Sequence, residues 1–167
     1  MNLILAALLL TATAGSPAPC DHLPLIKKYT PQFPYFVDGK RYTINPALIL
    51  GIITQESQGN PQATSPVGAR GLMQIMPRTA ELLECKSDTM YDPATKIRCG
   101  VKFFAALLPD PKGDLIRAIS GYNGGSHSTE KSALLGGRIA DNPETRGYVK
   151  KVLTYFEHYK KQPCPIQ

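Results

Sequence analysis

The 167-residue sequence lacks an internal repeat, a long linker and an apolar run that is long enough to cross a bilayer. The apolar run at residues 3–10 is much shorter than the roughly 20 residues of a membrane-spanning helix, which argues against a transmembrane protein. Lysine and arginine form no clustered tract, and no nucleic-acid-binding motif is recognisable. We therefore expect no nucleic-acid partner.

The N-terminus has the pattern of a secretory signal peptide. Residues 3–10 form its apolar core, and Ala12-Thr13-Ala14 resembles an A-x-A cleavage site. No lysine or arginine precedes the core, so only the α-amino group supplies positive charge. We expect residues 1–14 to be removed and the protein to be exported to the periplasm or cell envelope; the alternative is an uncleaved N-terminal anchor.

The remaining chain, residues 20–167, has the usual length of one domain with one core. It is basic, because the whole sequence has 19 Lys and Arg against 13 Asp and Glu, a net charge of +6. In an exported protein this charge favours contact with anionic cell-wall polymers or lipid head groups.

Four cysteines are present: Cys20, Cys85, Cys99 and Cys164. An even number in an exported chain predicts two disulfides, for which three pairings are possible. We prefer Cys85–Cys99, which would close a short loop between helices, and Cys20–Cys164, which would join the chain ends. A structural zinc site is the alternative, but the sequence has no Cys-x-x-Cys pair.

A helix is predicted from Asn45, a typical N-cap residue, followed by Pro46 at the first helical position. Apolar residues recur at helical spacing on one face of this segment: Leu48, Ile49, Ile52 and Ile53. Glu56 lies three residues after Ile53, so its carboxyl group belongs to the same face. Gly59 and Pro61 predict the end of the helix.

Burial on this face would raise the pKa of Glu56, and the negative end of the helix dipole would act in the same direction. A glutamic acid that keeps its proton near neutral pH is suited to act as a general acid. The alternative is an ordinary surface residue that points outward at the end of the helix.

Most other periodic segments also predict helices, over residues 77–85, 93–108, 112–120 and 143–160. Residues 121–125, GYNGG, predict a bent segment at a helix end. A turn at Asp38-Gly39 predicts a small β-hairpin between residues 35 and 44. The expected fold class is mainly α with a small hairpin.

Four segments in this order resemble lytic transglycosylases of the soluble-lytic-transglycosylase (SLT) type, which are related in fold to goose-type lysozyme. They are QES at 55–57, GLMQI at 71–75, GYNGG at 121–125 and ETRGYV at 144–149. The resemblance covers about residues 40–160 and implies a lysozyme-like helical globule. The third motif usually reads AYNAG in the family; here glycines replace both alanines, which we expect to loosen the backbone more than to alter the site.

The resemblance implies cleavage of the β-1,4 bond between N-acetylmuramic acid and N-acetylglucosamine in peptidoglycan, with 1,6-anhydromuramoyl ends as products. Glu56 would be the general acid and then the base. Most glycosidases use two carboxylates, but substrate-assisted families are exceptions. The other acidic residues considered are assigned to helices or helix caps: Glu81, Glu84, Asp92 and Glu144. Alternatives are a hydrolytic muramidase and, from another class, a non-catalytic peptidoglycan-binding module.

The resemblance also assigns roles to three residues close to Glu56 in sequence. Ser57 would hydrogen-bond the catalytic carboxyl, or else only make a bond at the helix end. Met73 would form a soft wall for a sugar ring, and Gln74 would hydrogen-bond the substrate. The alternative for Met73 is core filling, which is the usual role of methionine.

Three further residues complete the implied substrate site. Tyr122 would orient Glu56 or the substrate, and Asn123 would hold a sugar acetamido or backbone group. Their alternatives are a core aromatic and a helix C-cap. Tyr148 would close the cleft from the last helix. The resemblance implies no metal or organic cofactor. We expect a monomer. The resemblance is compatible with a role in opening the wall for a secretion, pilus or conjugation apparatus, and equally with general wall turnover.

Overall fold

A computed structural model describes residues 18–85, 91–108, 114–125 and 139–165. These residues form six α-helices, two 3₁₀ helices and one hairpin. The α-helices are α1 (Leu23–Tyr29), α2 (Pro46–Ser57), α3 (Pro77–Leu82), α4 (Pro93–Ala106), α5 (Leu115–Gly124) and α6 (Pro143–Lys161); the 3₁₀ helices are Pro19–His22 and Thr30–Gln32. The mainly α fold class is confirmed. The predicted signal peptide, residues 1–14, lies outside the described ranges.

Helix α2 forms the centre of the core, as its apolar face predicts. The Asn45 side-chain Oδ1 accepts a hydrogen bond from the Ala47 N–H at 2.9 Å, which confirms the predicted N-cap. Residues 48–53 are all buried. The helix ends at Ser57, and its C-cap is Gln58, one residue before the predicted Gly59. Gln58 already has a left-handed conformation with φ 53°, and Gly59 follows at φ 87°.

The C-terminal helix α6 packs directly across α2, and Gly51 allows the two backbones to come close. A Cβ atom at Gly51 would lie 3.1 Å from the Val152 carbonyl oxygen and 3.2 Å from the Phe156 nitrogen. Because both neighbours are backbone atoms, a larger side chain would push the helices apart. The close crossing places the N-terminal half of α6 over the end of α2.

The predicted bend at residues 121–125 is wrong, because α5 continues through Gly124. The Gly125 N–H still donates to the Gly121 carbonyl at 3.1 Å, so the helical hydrogen bonds extend into the glycine-rich segment. Tyr122 holds this turn in place through ring contacts with Phe103 and Phe104 of α4, at centroid distances of 5.0 and 6.1 Å. Tertiary packing therefore outweighs the low helix propensity of glycine. The predicted start of this helix near Lys112 lies outside the described residues.

Both preferred disulfides are present. Cys20–Cys164 joins the two ends of the described chain, and Cys85–Cys99 joins the segment after α3 to α4. None of the four cysteines is free, which removes the thiolates that the zinc alternative required. Helix α3 ends at Leu82, shorter than predicted, and Glu84 turns the chain toward the disulfide with φ 55°.

The predicted hairpin is formed by β1 (Tyr35–Val37) and β2 (Lys40–Tyr42). The strands are antiparallel, and the rings of the paired residues Tyr35 and Tyr42 stack at 5.6 Å. Asp38 and Gly39 have φ 48° and 72°, as a tight two-residue turn requires. Across the described ranges, no helix has both the length and the apolar character of a membrane span.

The segment after α2 packs against α4 through Met73, whose side chain is 0 % exposed. A Cβ atom at Gly100 of α4 would overlap the Met73 side chain, with the Met73 Cβ only 2.9 Å away. Gly100 therefore provides the space that Met73 fills.

We predict that Gly100→Ala lowers the free energy of unfolding by about 1–3 kcal/mol because it overpacks this contact. In the double variant with Met73→Ala, the loss is expected to be smaller than the sum of the two single losses, since the smaller side chain leaves room for the new methyl group. Denaturant unfolding measures all three values. Gly147→Ala is the control, because a Cβ there meets nothing within 4 Å. Strictly additive losses would contradict the contact.

Candidate active site

Glu56 lies in the last turn of α2, where the crossing helix α6 covers it. The Tyr148 hydroxyl of α6 donates a hydrogen bond of 2.6 Å to Oε1 of Glu56. Burial raises the pKa of Glu56 from 4.5 to about 7, and the hydrogen bond from Tyr148 acts in the opposite direction without cancelling the effect. The outward-pointing alternative for Glu56 is therefore excluded.

Tyr148 and Tyr122 both keep their protons at the site. Burial raises the pKa of each hydroxyl well above its ordinary value, and the negative charge of Glu56 acts in the same direction. The two hydroxyls have different partners: Tyr148 donates to Glu56, whereas Tyr122 donates to the Met73 carbonyl at 2.9 Å. The residue that directly holds the carboxyl group is thus Tyr148, which the sequence had assigned to closing the cleft.

Ser57 does not hydrogen-bond the Glu56 carboxyl. Its hydroxyl donates to the Leu72 carbonyl at 2.8 Å and to the Ile53 carbonyl at 3.2 Å, and it accepts from the Gly59 N–H. The last turn of a helix leaves carbonyl oxygens unpaired, and a serine hydroxyl satisfies them at short range. Ser57 therefore connects the end of α2 to the segment that follows it, which is the helix-end alternative.

The predicted sugar wall at Met73 is wrong, because its side chain is fully buried against Gly100. The next residue, Gln74, lines the groove. Gln74 has φ 46°, and its Nε2 donates to the carbonyls of Gly71 at 2.9 Å and Ala63 at 3.1 Å. These two hydrogen bonds hold the Gln74 side-chain amide in place. Its oxygen forms no hydrogen bond with any residue that the structure describes.

Asn123 is held by a residue that the sequence analysis did not single out, Thr145 of α6. The Thr145 hydroxyl donates to Asn123 Oδ1 at 2.9 Å, which leaves the amide N–H groups as donors for a ligand. A Cβ atom at Gly124 would lie 2.8 Å from the Thr145 Oγ1. The glycine that replaces the family's alanine at this position therefore shapes a site contact, contrary to our expectation.

Glu56 lies where two depressions of the surface meet. The first has a volume of about 600 Å³ and a mostly apolar wall that includes Val67, Ile75, Met76, Leu82, Phe103 and Leu107. The second, about 400 Å³, is lined by Gln55, Pro143, Glu144, Gly147, Tyr148 and Lys151. Three residues line both: Glu56, Asn123 and Glu144. The groove is thus shaped for an extended chain that crosses the acid.

Glu144 lies in the first turn of α6, as inferred, and it also lines the groove, which the sequence did not indicate. The sequence places it at a helix start, and Asn142 does cap α6 there by accepting from the Glu144 N–H at 2.8 Å. The side chain, however, forms part of both groove walls. In the described part of the chain, no three His, Cys, Asp or Glu side chains converge as a metal site requires.

Two buried polar residues, His22 and Lys96, could not be found from the periodicity of the sequence. His22 Nε2 donates to the Gly59 carbonyl at 2.9 Å and so supports the turn after α2. Lys96 is 0 % exposed, and its Nζ lies 3.5 Å from the Ile75 carbonyl. Burial, with a smaller contribution from the charge of Arg70, lowers the pKa of Lys96 from 10.5 to about 7. A fully buried lysine is rare, and the sequence pattern of α4 does not predict one.

Comparison with known proteins identifies the family. Residues 34–138 match the model of the family described as "Transglycosylase SLT domain", which is more than half of the chain. The chain belongs to the SLT transglycosylase family. Helix α6 lies beyond the matched residues. Tyr148 and Thr145, which contact Glu56 and Asn123, are therefore not part of the match.

Among its relatives, this SLT family member is 36% identical over 113 residues to a transglycosylase of Enterobacteria phage PRD1, covering 68% of this chain and 38% of the relative. It is 35% identical over 163 residues to the soluble lytic murein transglycosylase of Escherichia coli strain K12, covering 84% and 24% of the two chains. The chain thus spans less than two fifths of either relative's length.

The fold agrees with this assignment. The crystal structure of the 70 kDa soluble lytic transglycosylase of Escherichia coli superposes with a TM-score of 0.69 at 30% identity, covering 83% of this chain and 24% of that one. The lysozyme-like, mainly α architecture is confirmed.

We predict that Tyr148→Phe lowers kcat/KM of this SLT protein about tenfold to a hundredfold, because the Glu56 carboxyl loses the bond that orients it. The lost bond favoured the charged form, so the pKa of Glu56 should rise further and the alkaline limb of the pH profile should move to higher pH. Initial rates between pH 5 and 9 measure both effects. Tyr155→Phe on the same helix is the control. An alkaline limb that stays in place or moves to lower pH would contradict the contact.

Proposed function

We propose that the protein is an exported peptidoglycan lytic transglycosylase that cleaves the β-1,4 bond between N-acetylmuramic acid and N-acetylglucosamine and forms 1,6-anhydromuramoyl ends. The observation that supports this most is the position of Glu56, with its pKa raised to about 7, at the meeting point of the two groove depressions. Family membership supports the substrate class.

In the first step, protonated Glu56 donates its proton to the glycosidic oxygen, and the bond to the anomeric carbon of the muramoyl residue breaks. The carboxylate that remains accepts the hydrogen bond from Tyr148, which stabilises it as the negative charge forms. The acetamido oxygen of the substrate would stabilise the positive anomeric centre, so that no second carboxylate is required.

In the second step, the Glu56 carboxylate accepts the proton of the muramoyl 6-hydroxyl while that oxygen bonds to the anomeric carbon. The bond closes a 1,6-anhydro ring, and Glu56 is again protonated for the next turnover. Water takes no part. Asn123 and Gln74, whose amides are held by Thr145 and by backbone carbonyls, would bind the sugar acetamido and hydroxyl groups on either side of the acid.

Export accords with the two disulfides, which form in oxidising compartments. A role for the protein in opening the wall for a secretion, pilus or conjugation apparatus, and its monomeric state, stay predictions.

The second candidate is a hydrolytic muramidase, because Glu144 lines the same groove as Glu56 and a second carboxylate can activate water. The two reactions differ in the acceptor, and hence in the mass of the product by one water molecule.

We predict that digestion of purified peptidoglycan releases muropeptides with 1,6-anhydromuramoyl ends, and that Glu56→Gln lowers this rate by about a thousandfold because the proton donor is lost. Mass spectrometry of the released products measures both. The control is Glu81→Gln, an exposed glutamate on α3 that lines neither depression. Reducing ends in place of anhydro ends would favour the muramidase, and full activity of Glu56→Gln would refute the mechanism.

A further inference from the structure

One wall of the groove is an irregular segment, residues 63–76, which we call the wall segment. Six of its residues line the larger depression: Ser65, Val67, Ala69, Gln74, Ile75 and Met76. The segment forms no helix, and its only ladder pairs are isolated bridges from Arg70 to Thr64 and to Ile75. The shape of this wall therefore depends on a few individual hydrogen bonds.

The Ile75 carbonyl is the point at which the wall segment closes on itself. It accepts the Arg70 N–H at 3.2 Å, and this bond encloses residues 71–74 in a tight loop. Within the loop, Gly71 and Gln74 have φ 71° and 46°, and the second value is uncommon for a residue with a side chain. Such a conformation persists only where the surrounding structure holds it. The orientation of the Ile75 carbonyl is therefore coupled to the direction in which Gln74 faces the groove.

A second donor, Lys96 of α4, reaches the same carbonyl from the protein interior. The Lys96 side chain is 0 % exposed, and its Nζ lies 3.5 Å from the Ile75 oxygen. Among the described residues, this oxygen is the only hydrogen-bond acceptor of Nζ, and no carboxylate forms an ion pair with it. The charge that acts on Lys96 is that of Arg70, which has the same sign. Burial of an ammonium group in such surroundings is costly.

The packing of the core does not require this lysine. The Ile75 carbonyl already accepts the Arg70 N–H, so it would not be left unpaired without Lys96. An apolar side chain of similar length would fill the same space without burying a charge. What Lys96 adds is a second donor, which restrains the direction of the carbonyl on which the loop closes.

We propose that Lys96 is a positioning residue of the groove. Its Nζ holds the Ile75 carbonyl, and through it the wall segment, in the orientation that lets Gln74 hydrogen-bond the glycan chain while Met76 packs against it. Because Lys96 is fully buried, it does not touch the substrate itself. The identity of the bound chain rests on the proposed function, whereas the contact with the wall segment does not.

The test is Lys96→Met, which keeps most of the side-chain volume and removes the ammonium group. The pKa of Glu56 and that of Lys96 are both about 7, so rates on soluble glycan strands are measured at pH 6, where both groups hold a proton. We expect KM to rise about threefold to tenfold and kcat to stay within about twofold, because a loosened wall weakens ground-state and transition-state binding alike. The midpoint of denaturant unfolding should stay the same or rise, because no charge is buried.

Lys102→Met is the matched control. Lys102 lies on the same helix, and its Nζ donates to the Leu83 carbonyl at 2.7 Å, outside the wall segment. The same substitution there removes a similar hydrogen bond and should leave KM unchanged. An unchanged KM in Lys96→Met would overturn the inference. So would a fall in kcat alone together with a lower unfolding midpoint, since that result would show only a loss of folded protein.

Hydrogen exchange measured by NMR separates this inference from the proposed function. The Arg70 and Gln74 amide protons bond to the Ile75 and Gly71 carbonyls within the loop. Their exchange should become about fivefold or more faster in Lys96→Met, while exchange in the core helices stays the same. Unchanged exchange of both amides would overturn the inference. If the wild type cleaves no glycan and Lys96→Met still speeds this exchange, the proposed function fails and the positioning role of Lys96 stands.

Discussion

The contact between the Glu56 carboxyl and the Tyr148 hydroxyl depends on how two helices cross. Helix α2 brings the acid to its last turn, and α6 brings the tyrosine across it, at a distance that a side chain on Gly51 would prevent. Burial favours the protonated acid, whereas the hydrogen bond favours its anion. Because burial prevails, the acid holds a proton near neutral pH, yet the anion that forms after proton transfer already has its donor in place.

This arrangement makes the fold less stable at neutral and alkaline pH. The pKa of Glu56 is about 7 in the folded protein, against 4.5 as its ordinary value, so the folded state binds more protons between these pH values. Stability therefore falls as pH rises through this window, by roughly 3 kcal/mol in total. Lys96 has the opposite sign: its lowered pKa makes the folded state less stable below about pH 7, and this effect disappears as pH rises toward 10.5. The caps of α2 and α6 and the two disulfides stabilise the fold around these two costly groups.

Sequence patterns of a few neighbouring residues predicted the start of α2, its buried face and the hairpin. Asn45 and Pro46 mark the start of α2, the spacing of its apolar residues places Glu56 on the buried face, and the Asp38-Gly39 turn predicts the hairpin. The cysteine pairing followed from compartment and loop length. Propensity failed where tertiary packing decides the outcome: Tyr122 packs on α4 and keeps a glycine-rich segment helical. No local rule describes that effect.

Side-chain roles in the site were harder to predict than positions in the chain. Met73 and Gln74 are neighbours in the sequence, but their side chains point in different directions. The Met73 side chain fills the space beside Gly100, whereas Gln74 lines the groove. The partners Tyr148 and Thr145 are about 90 and 20 residues away from Glu56 and Asn123, so their contacts become visible only when α6 is placed. The family resemblance supplied the identity of the acid, and the structure supplies its environment.

The most direct measurement is the titration of the Glu56 carboxyl itself. In protein labelled with ¹³C at the glutamate carboxyl group, the Glu56 signal is the one that disappears in Glu56→Gln, and its chemical shift can be followed from pH 3 to 9. The burial of the carboxyl predicts a midpoint near 7. A midpoint near the ordinary value of 4.5 would mean that the carboxyl is solvated and ionised at neutral pH, and it would contradict the role of Glu56 as the proton donor.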